Sequence, residues 1–102
     1  MRLLYSELAL LDIEQMWLEV YMASMDMETA DAYRAGLKDA VRDKLAFLQS
    51  GAPLLRNGER TGYYYVVYKK YIAFYEIEGE TMRVVRVLYR GMDRMKRLFP
   101  LH

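Results

Sequence analysis

Cysteine is absent from this 102-residue sequence, and histidine occurs once, as His102. Without thiols there is no disulfide framework, no thiolate metal site and no cysteine nucleophile. A lone histidine at a chain terminus does not build a catalytic triad or a histidine metal site. No glycine-rich phosphate loop is present; Gly51, Gly58, Gly62 and Gly79 read as turn glycines. No metal and no cofactor are therefore expected. Paired carboxylates are scarce too. Asp12 and Glu14 are two apart and do not share a helix face. Glu76 and Glu78 sit beside a hairpin turn, where solvation is their simplest fate. A hydrolase built on two carboxylates is disfavoured.

Long apolar runs are also missing. Glu7, Asp12 and Glu14 interrupt the opening stretch MRLLYSELALLDIEQMW, so it does not read as a signal peptide. No run approaches the ~20 residues of a membrane span. These absences predict a soluble, cytoplasmic protein without membrane contact.

What is present suffices for one domain spanning residues 1–102. Hydrophobic residues make up 54% of the chain and charged residues 28%, enough for both a core and a solvated surface. The net charge of +1 conceals an asymmetry. Residues 1–55 hold five Lys/Arg against nine Asp/Glu; residues 56–102 hold ten against five. This is either a chance split or a basic working half on an acidic scaffold.

The period of the apolar residues divides the chain in the same way. Arg2–Tyr5 reads as a first strand. Ser6 offers a cap to a helix over Glu7–Ser24, with Leu8, Leu11, Met16 and Val20, and Ile13, Trp17 and Tyr21, as its inward stripe. Asp26 caps a second helix whose face runs through Ala30, Tyr33, Leu37, Val41, Leu45 and Leu48 until Gly51 and Pro53 stop it. A short link makes the pair an antiparallel hairpin. From about residue 60 the period becomes alternating. Three strands are expected, Tyr63–Tyr68, Tyr71–Glu78 and Met82–Tyr89, turning at Lys69–Lys70 and at Gly79. On the third, Met82, Val84, Arg86 and Leu88 should share one side. A short helix containing Met92, Met95 and Phe99 follows. The fold class is α+β: a helical hairpin packed on a small, mainly antiparallel sheet.

Six of the ten tyrosines lie between Tyr63 and Tyr75. Tyrosine favours a pleated, half-buried surface, so sheet packing explains most of them. A base-stacking platform would require exposed rings beside cations. Cations are available at Arg60, Lys69, Lys70, Arg83, Arg86, Arg90, Arg94, Lys96 and Arg97. That set is either a solvated surface or a face that binds an anionic polymer.

Three stretches carry a resemblance. ALLDIEQMWLEVY contains an Asp-apolar-Glu triplet on a helix. ETADAYRAGLKDAVRDKLAFLQSGAP is a helix ending in a Gly/Pro break. YKKYIAFYEIEGETMRVVRVLYRGMD is a tyrosine-bearing strand, a turn and a valine-rich strand. In this order they resemble the RelE/ParE superfamily of bacterial toxins over nearly the whole chain.

The resemblance implies a growth-inhibiting toxin of a type II, plasmid-stabilisation toxin–antitoxin pair, held inactive by a cognate antitoxin. RelE-type members are ribosome-dependent messenger-RNA endoribonucleases, and their functional cations correspond to Tyr63, Tyr65, Ile72 and Arg90, with a tyrosine near Lys96. Only Arg90 is kept, which makes it the candidate catalytic or target-contacting residue. The departures favour a ParE-like toxin acting on an essential target such as DNA gyrase, and not an enzyme. A ribonuclease, or a non-toxic binding module on the same fold, is the alternative. Arg60, Lys69, Lys70, Arg83, Arg86, Arg90, Arg94 and Lys96 are the expected target-binding set. Ile72, Phe74 and Leu88 on an exposed outer sheet face, with Met92, Met95 and Phe99 on the tail, are the expected antitoxin contacts. The resemblance allows a homodimer or a toxin–antitoxin hetero-oligomer.

Overall fold

A computed structural model of the chain describes residues 2–45 and 52–91. Strand β1 (Arg2–Tyr5) leads into α1 (Glu7–Ser24) and α2 (Met27–Asp43), then β2 (Ala52–Arg56), β3 (Glu59–Tyr68), β4 (Tyr71–Glu78) and β5 (Thr81–Tyr89). The five strands form one sheet in the order β1-β5-β4-β3-β2. β1 runs parallel to β5, and the other neighbours are antiparallel. This is the expected α+β architecture. The expected helix after β5 lies outside the described residues.

Local chemistry sets the helix ends. The Ser6 hydroxyl accepts the Ala9 N–H at 3.0 Å and opens α1. Met25 closes it in the left-handed region, its N–H bonded to the Tyr21 carbonyl. One residue later, Asp26 accepts the Glu28 N–H at 3.2 Å and the Thr29 hydroxyl at 2.6 Å, which starts α2. A link this short forces the helices antiparallel. Trp17 fastens them further: it donates to Asp31 at 2.8 Å and lies under the Arg34 guanidinium. α2 stops at Asp43, well before Gly51. Leu45 falls in a turn beyond the helix, and Leu48 and Gly51 lie outside the described residues.

The hairpin covers one sheet face. Ala9, Ile13 and Met16 of α1 and Leu37 and Val41 of α2 pack on Tyr71, Ala73, Tyr75, Met82, Val84 and Val87. Leu8 and Leu11, expected to face inward, are exposed instead. α1 carries apolar residues on two opposite sides, and the core takes the side with the small Ala9, where the sheet can approach closely.

Three further differences arise from turns and bulges. β2 was not expected. It pairs with β3 through Asn57–Gly58, both at positive φ, the pattern of a two-residue type I′ hairpin turn. β3 consequently begins at Glu59 and absorbs Gly62, at φ +89, where the register with β2 shifts. On β5 a bulge opposite Phe74 and Tyr75 inserts Val85. Met82 and Val84 face the helices before it and Val87 after it, so the simple alternation through Arg86 and Leu88 does not hold.

The opposite face is not an exposed patch. Ile72, Phe74 and Leu88 are buried and pack with Leu54, Tyr65 and Val85. Central strand β4 is buried on both sides from Tyr71 to Tyr75, as its continuous apolar run requires. The tyrosines are packing residues. Tyr64 stacks on Tyr75 at 5.6 Å, and Tyr33 meets Tyr68 and Tyr71 edge-on.

Candidate functional site

β1 is short. It leaves the half of β5 beyond Val84 without a strand on its outer side, and α1 supplies the missing partners. The Ser6 hydroxyl donates to the Val85 carbonyl at 2.8 Å. The Asp12 carboxylate accepts the Val87 N–H at 2.9 Å and grips the Arg86 guanidinium through two bonds of 2.7 and 2.9 Å. Both side chains are largely buried, at 17% and 15% exposure. Hydrogen bonding to Asp12, foremost, holds the Arg86 guanidinium even more firmly charged than usual. Arg86, expected in the target-binding set, is largely buried and joins β5 to α1 through Asp12. A carboxylate with two guanidinium bonds leaves little field for an external anion.

The other end of β5 is built differently. The β3–β4 turn is Lys69–Lys70, with Lys69 at φ +53. That conformation costs a residue with a side chain about 1 kcal/mol, and several contacts hold it. The Lys69 ammonium lies 5.0 Å from the Tyr33 ring and 5.5 Å from the Tyr68 ring. The Lys70 N–H donates to the Tyr33 hydroxyl at 3.3 Å. Arg90 supplies the rest: its backbone N–H donates to the Lys70 carbonyl at 2.8 Å and its guanidinium to the Lys69 carbonyl at 3.2 Å. Tyr68 reaches this assembly by lying over Gly36 of α2, where any Cβ would stand 2.0 Å from the phenol oxygen.

Arg90 also lines a cleft of about 430 Å³ on the side of the sheet opposite α1 and α2. Pro53, Leu54, Leu55, Tyr65, Val67, Ile72 and Phe74 form the rest of its wall. Among the described residues, Arg90 is the one basic residue in an apolar and aromatic lining. Such a cleft suits an apolar peptide segment ending in, or followed by, an anionic group. Among the described residues there is no group of His, Cys, Asp or Glu able to hold a metal ion. The perturbed phenols belong to the core. Burial raises Tyr5 and Tyr75, and burial followed by donation to Glu19 at 2.8 Å raises Tyr71.

The eight expected target-binding residues do not form one face. Lys69, Lys70 and Arg90 gather at one end of the sheet. Arg60 and Arg83 lie near the other, beside the β2–β3 and β4–β5 turns, with Arg83 3.7 Å from Glu76. Arg86 is internal, and Arg94, Lys96 and Arg97 are outside the described residues. Of the expected antitoxin contacts, Ile72 and Phe74 reach the cleft wall, Leu88 is buried beside them, and Met92, Met95 and Phe99 are outside the described residues. Sequence reasoning missed Asp12 as a partner, and Tyr33 and Gly36 as supports of the basic turn. Nothing local signals a contact between residues 74 positions apart.

Fold and sequence comparisons agree on kinship. No functionally curated protein matches the chain. Among solved structures, one titled "Chromosomal ParDE TA system from P. aeruginosa" superposes with a TM-score of 0.72 at 18% identity, over 87% of this chain and 95% of the other. A second, a RelBE2 toxin–antitoxin complex from Mycobacterium tuberculosis, superposes with a TM-score of 0.51 at 19% identity, over 89% and 92%. At such identities the superpositions establish a shared fold. The family model described as "ParE toxin of type II toxin-antitoxin system, parDE" matches residues 3–94, from β1 to beyond β5. The chain belongs to the ParE toxin family.

Proposed function

We propose that this protein is the toxin of a bacterial type II, plasmid-stabilisation toxin–antitoxin pair, arrests growth by binding an essential target of the DNA gyrase kind, and is neutralised by a cognate antitoxin. The family match over residues 3–94 carries the proposal. The composition of the cleft supports binding over catalysis. Ile72 occupies its wall where a ribonuclease of this fold would place a cation, and Tyr65 occupies another such position. Among the described residues the cleft offers one guanidinium and no acid–base pair, which favours binding over RNA cleavage.

The antitoxin is assigned to the same side of the sheet. Ile72, Phe74 and Leu88 are too buried to be its principal contacts. Its segment would rest on Leu55 and Val67, which stay exposed at the cleft rim, over Tyr65 and Phe74.

Inducible expression in bacteria, with and without the neighbouring gene, tests the function. Growth arrest relieved by co-expression is the expected result; unaffected growth by the wild-type chain alone would refute it. Arg90→Ala should reduce toxicity. If its guanidinium contacts the target, melting temperature and antitoxin binding stay near wild type. If it serves only to clamp the Lys69–Lys70 turn, the melting temperature falls with the toxicity. Quinolone-like inhibition of supercoiling by purified gyrase, without cleavage of messenger RNA in a translation extract, distinguishes the two targets.

A further inference from the structure

The three hairpin turns of the sheet are not specified in the same way. Gly58 and Gly79 stand at positive φ, +82 and +60, in the β2–β3 and β4–β5 turns. Among the described residues, nothing beyond the chain neighbours comes within 4 Å of a Cβ placed on either. Each of these turns carries its own glycine and follows from local preference. The β3–β4 turn has no glycine. Lys69 takes φ +53 there and Lys70 follows it. Neither residue type favours a left-handed backbone, so the instruction for this turn comes from elsewhere.

It comes from α2. The Tyr33 ring meets Tyr68 and Tyr71, the pair that closes the hairpin, edge-on at 5.3 and 5.9 Å between centroids. The same ring lies 5.0 Å from the Lys69 ammonium, and its hydroxyl accepts the Lys70 N–H at 3.3 Å. One side chain therefore touches all four residues from Tyr68 to Tyr71. Gly36, on the same helix, leaves the room that the Tyr68 ring occupies. The two carbonyls of the turn then hold Arg90. That of Lys70 accepts its backbone N–H at 2.8 Å, and that of Lys69 accepts its guanidinium at 3.2 Å. Where these carbonyls point depends on the backbone angles of the turn.

We propose that Tyr33 is a positioning residue for the Arg90 cleft. It packs on the helix side of the sheet and is not part of the cleft lining. It acts around the end of the sheet: it imposes the left-handed turn, and the turn presents the carbonyls that keep Arg90 at the cleft wall. The consequence for target binding rests on the function proposed above; the positioning itself does not.

Residue-resolved amide hydrogen exchange on the full chain tests this. Tyr33→Phe keeps the ring and removes only the hydroxyl. Exchange of the Arg90 N–H, which is not bonded to Tyr33, should quicken roughly threefold or more, while rates around the Gly79 turn stay at wild type. Tyr33→Leu removes the ring contacts as well and should raise the effect to roughly tenfold or more. Glycine accepts positive φ without strain, so adding Lys69→Gly to Tyr33→Leu should recover most of the Arg90 protection. In the growth assay, Tyr33→Leu should weaken arrest, and adding it to Arg90→Ala should weaken arrest no further. Unchanged Arg90 exchange in both Tyr33 variants would overturn the inference. So would quickening spread evenly over the sheet with no rescue by Lys69→Gly, the pattern of a residue that only packs the core. Full arrest by Tyr33→Leu beside an inactive Arg90→Ala would overturn it as well. A wild-type chain that does not arrest growth refutes the proposed function, and the exchange rates then decide the positioning by themselves.

Discussion

α1 and α2 are neighbours of nearly equal length, 18 and 17 residues, and they solve the same packing problem differently. α2 is segregated. Ala30, Leu37 and Val41 face the core, while Asp31, Arg34, Asp39 and Arg42 pair with one another on the surface. α1 is apolar on two sides and charged with one sign only. Both helices bury about one turn in two against the sheet, so the fold does not require the surplus on α1. The difference separates residues that hold the structure from residues that the described fold leaves uncovered.

Paired substitutions can break this contrast. Ile13→Ala and Leu37→Ala remove fully buried side chains and should each cost about 2–4 kcal/mol in chemical denaturation. Leu11→Ala, on the other side of α1, should stay within about 0.5 kcal/mol of wild type. A cost for Leu11→Ala comparable to that for Ile13→Ala would show that the outer stripe is part of the fold.

The polar contact between α1 and the sheet comes next in size. Asp12→Ala removes two bonds to the largely buried Arg86 guanidinium and the acceptor of the Val87 N–H, and should cost about 2–3 kcal/mol. Asp12→Asn keeps an acceptor for Val87 and should cost less. Denaturation curves that are identical for the two would mean that the charge contributes nothing.

α2 offers a test of opposite sense. Alanine at an ordinary helix glycine stabilises by up to about 1 kcal/mol. At Gly36 the new Cβ would collide with the Tyr68 ring. Gly36→Ala should therefore destabilise by about 1 kcal/mol, and should become neutral or stabilising when combined with Tyr68→Ala. Thermal melts of the three variants decide whether the ring is the obstacle.

The smallest effect concerns the junction of the helices. The Thr29 hydroxyl, and then the Glu28 N–H, hold the Asp26 carboxyl below its ordinary range. A depressed carboxylate contributes stability above its unfolded pKa and loses it as pH falls through the folded value. Melting temperature should fall slightly on acidification below about pH 4, and Asp26→Ser, which keeps a cap but not a titrating group, should flatten that slope.

The sequence disclosed the elements wherever a cap or a period is local. Ser6 and Asp26 mark the starts of both helices, and Gly79 marks the last hairpin turn. It misled where two patterns overlapped. Leu8 and Leu11 have helical spacing that belongs to the exposed stripe and not to the core one. β2 was hidden by Gly51 and Pro53, which read as a break, although Asn57–Gly58 is a strong hairpin signal. The inserted Val85 changes which side of the sheet later residues face, and no residue type announces it. The Asp12–Arg86 contact joins residues distant in the chain. Of the matched cation positions only Arg90 is basic, and it lines the cleft. The apolar cleft around it required Leu54, Leu55 and Val67 to be placed, and they came from the missed strand and its partner.

One feature of the sheet governs how the molecule comes into being. β1 pairs only with β5, and the Ser6 hydroxyl bonds a carbonyl 79 residues further along. During synthesis from the amino end, the first strand waits without its neighbour until residues 81–84 have been made. The helical hairpin, whose contacts are local, can form early; the sheet it covers closes last. A growing chain of this design closes its sheet only once β5 has been made. A product that stops short of Thr81 has no seat for β1 and lacks Arg90, although the other residues of the cleft wall are in place.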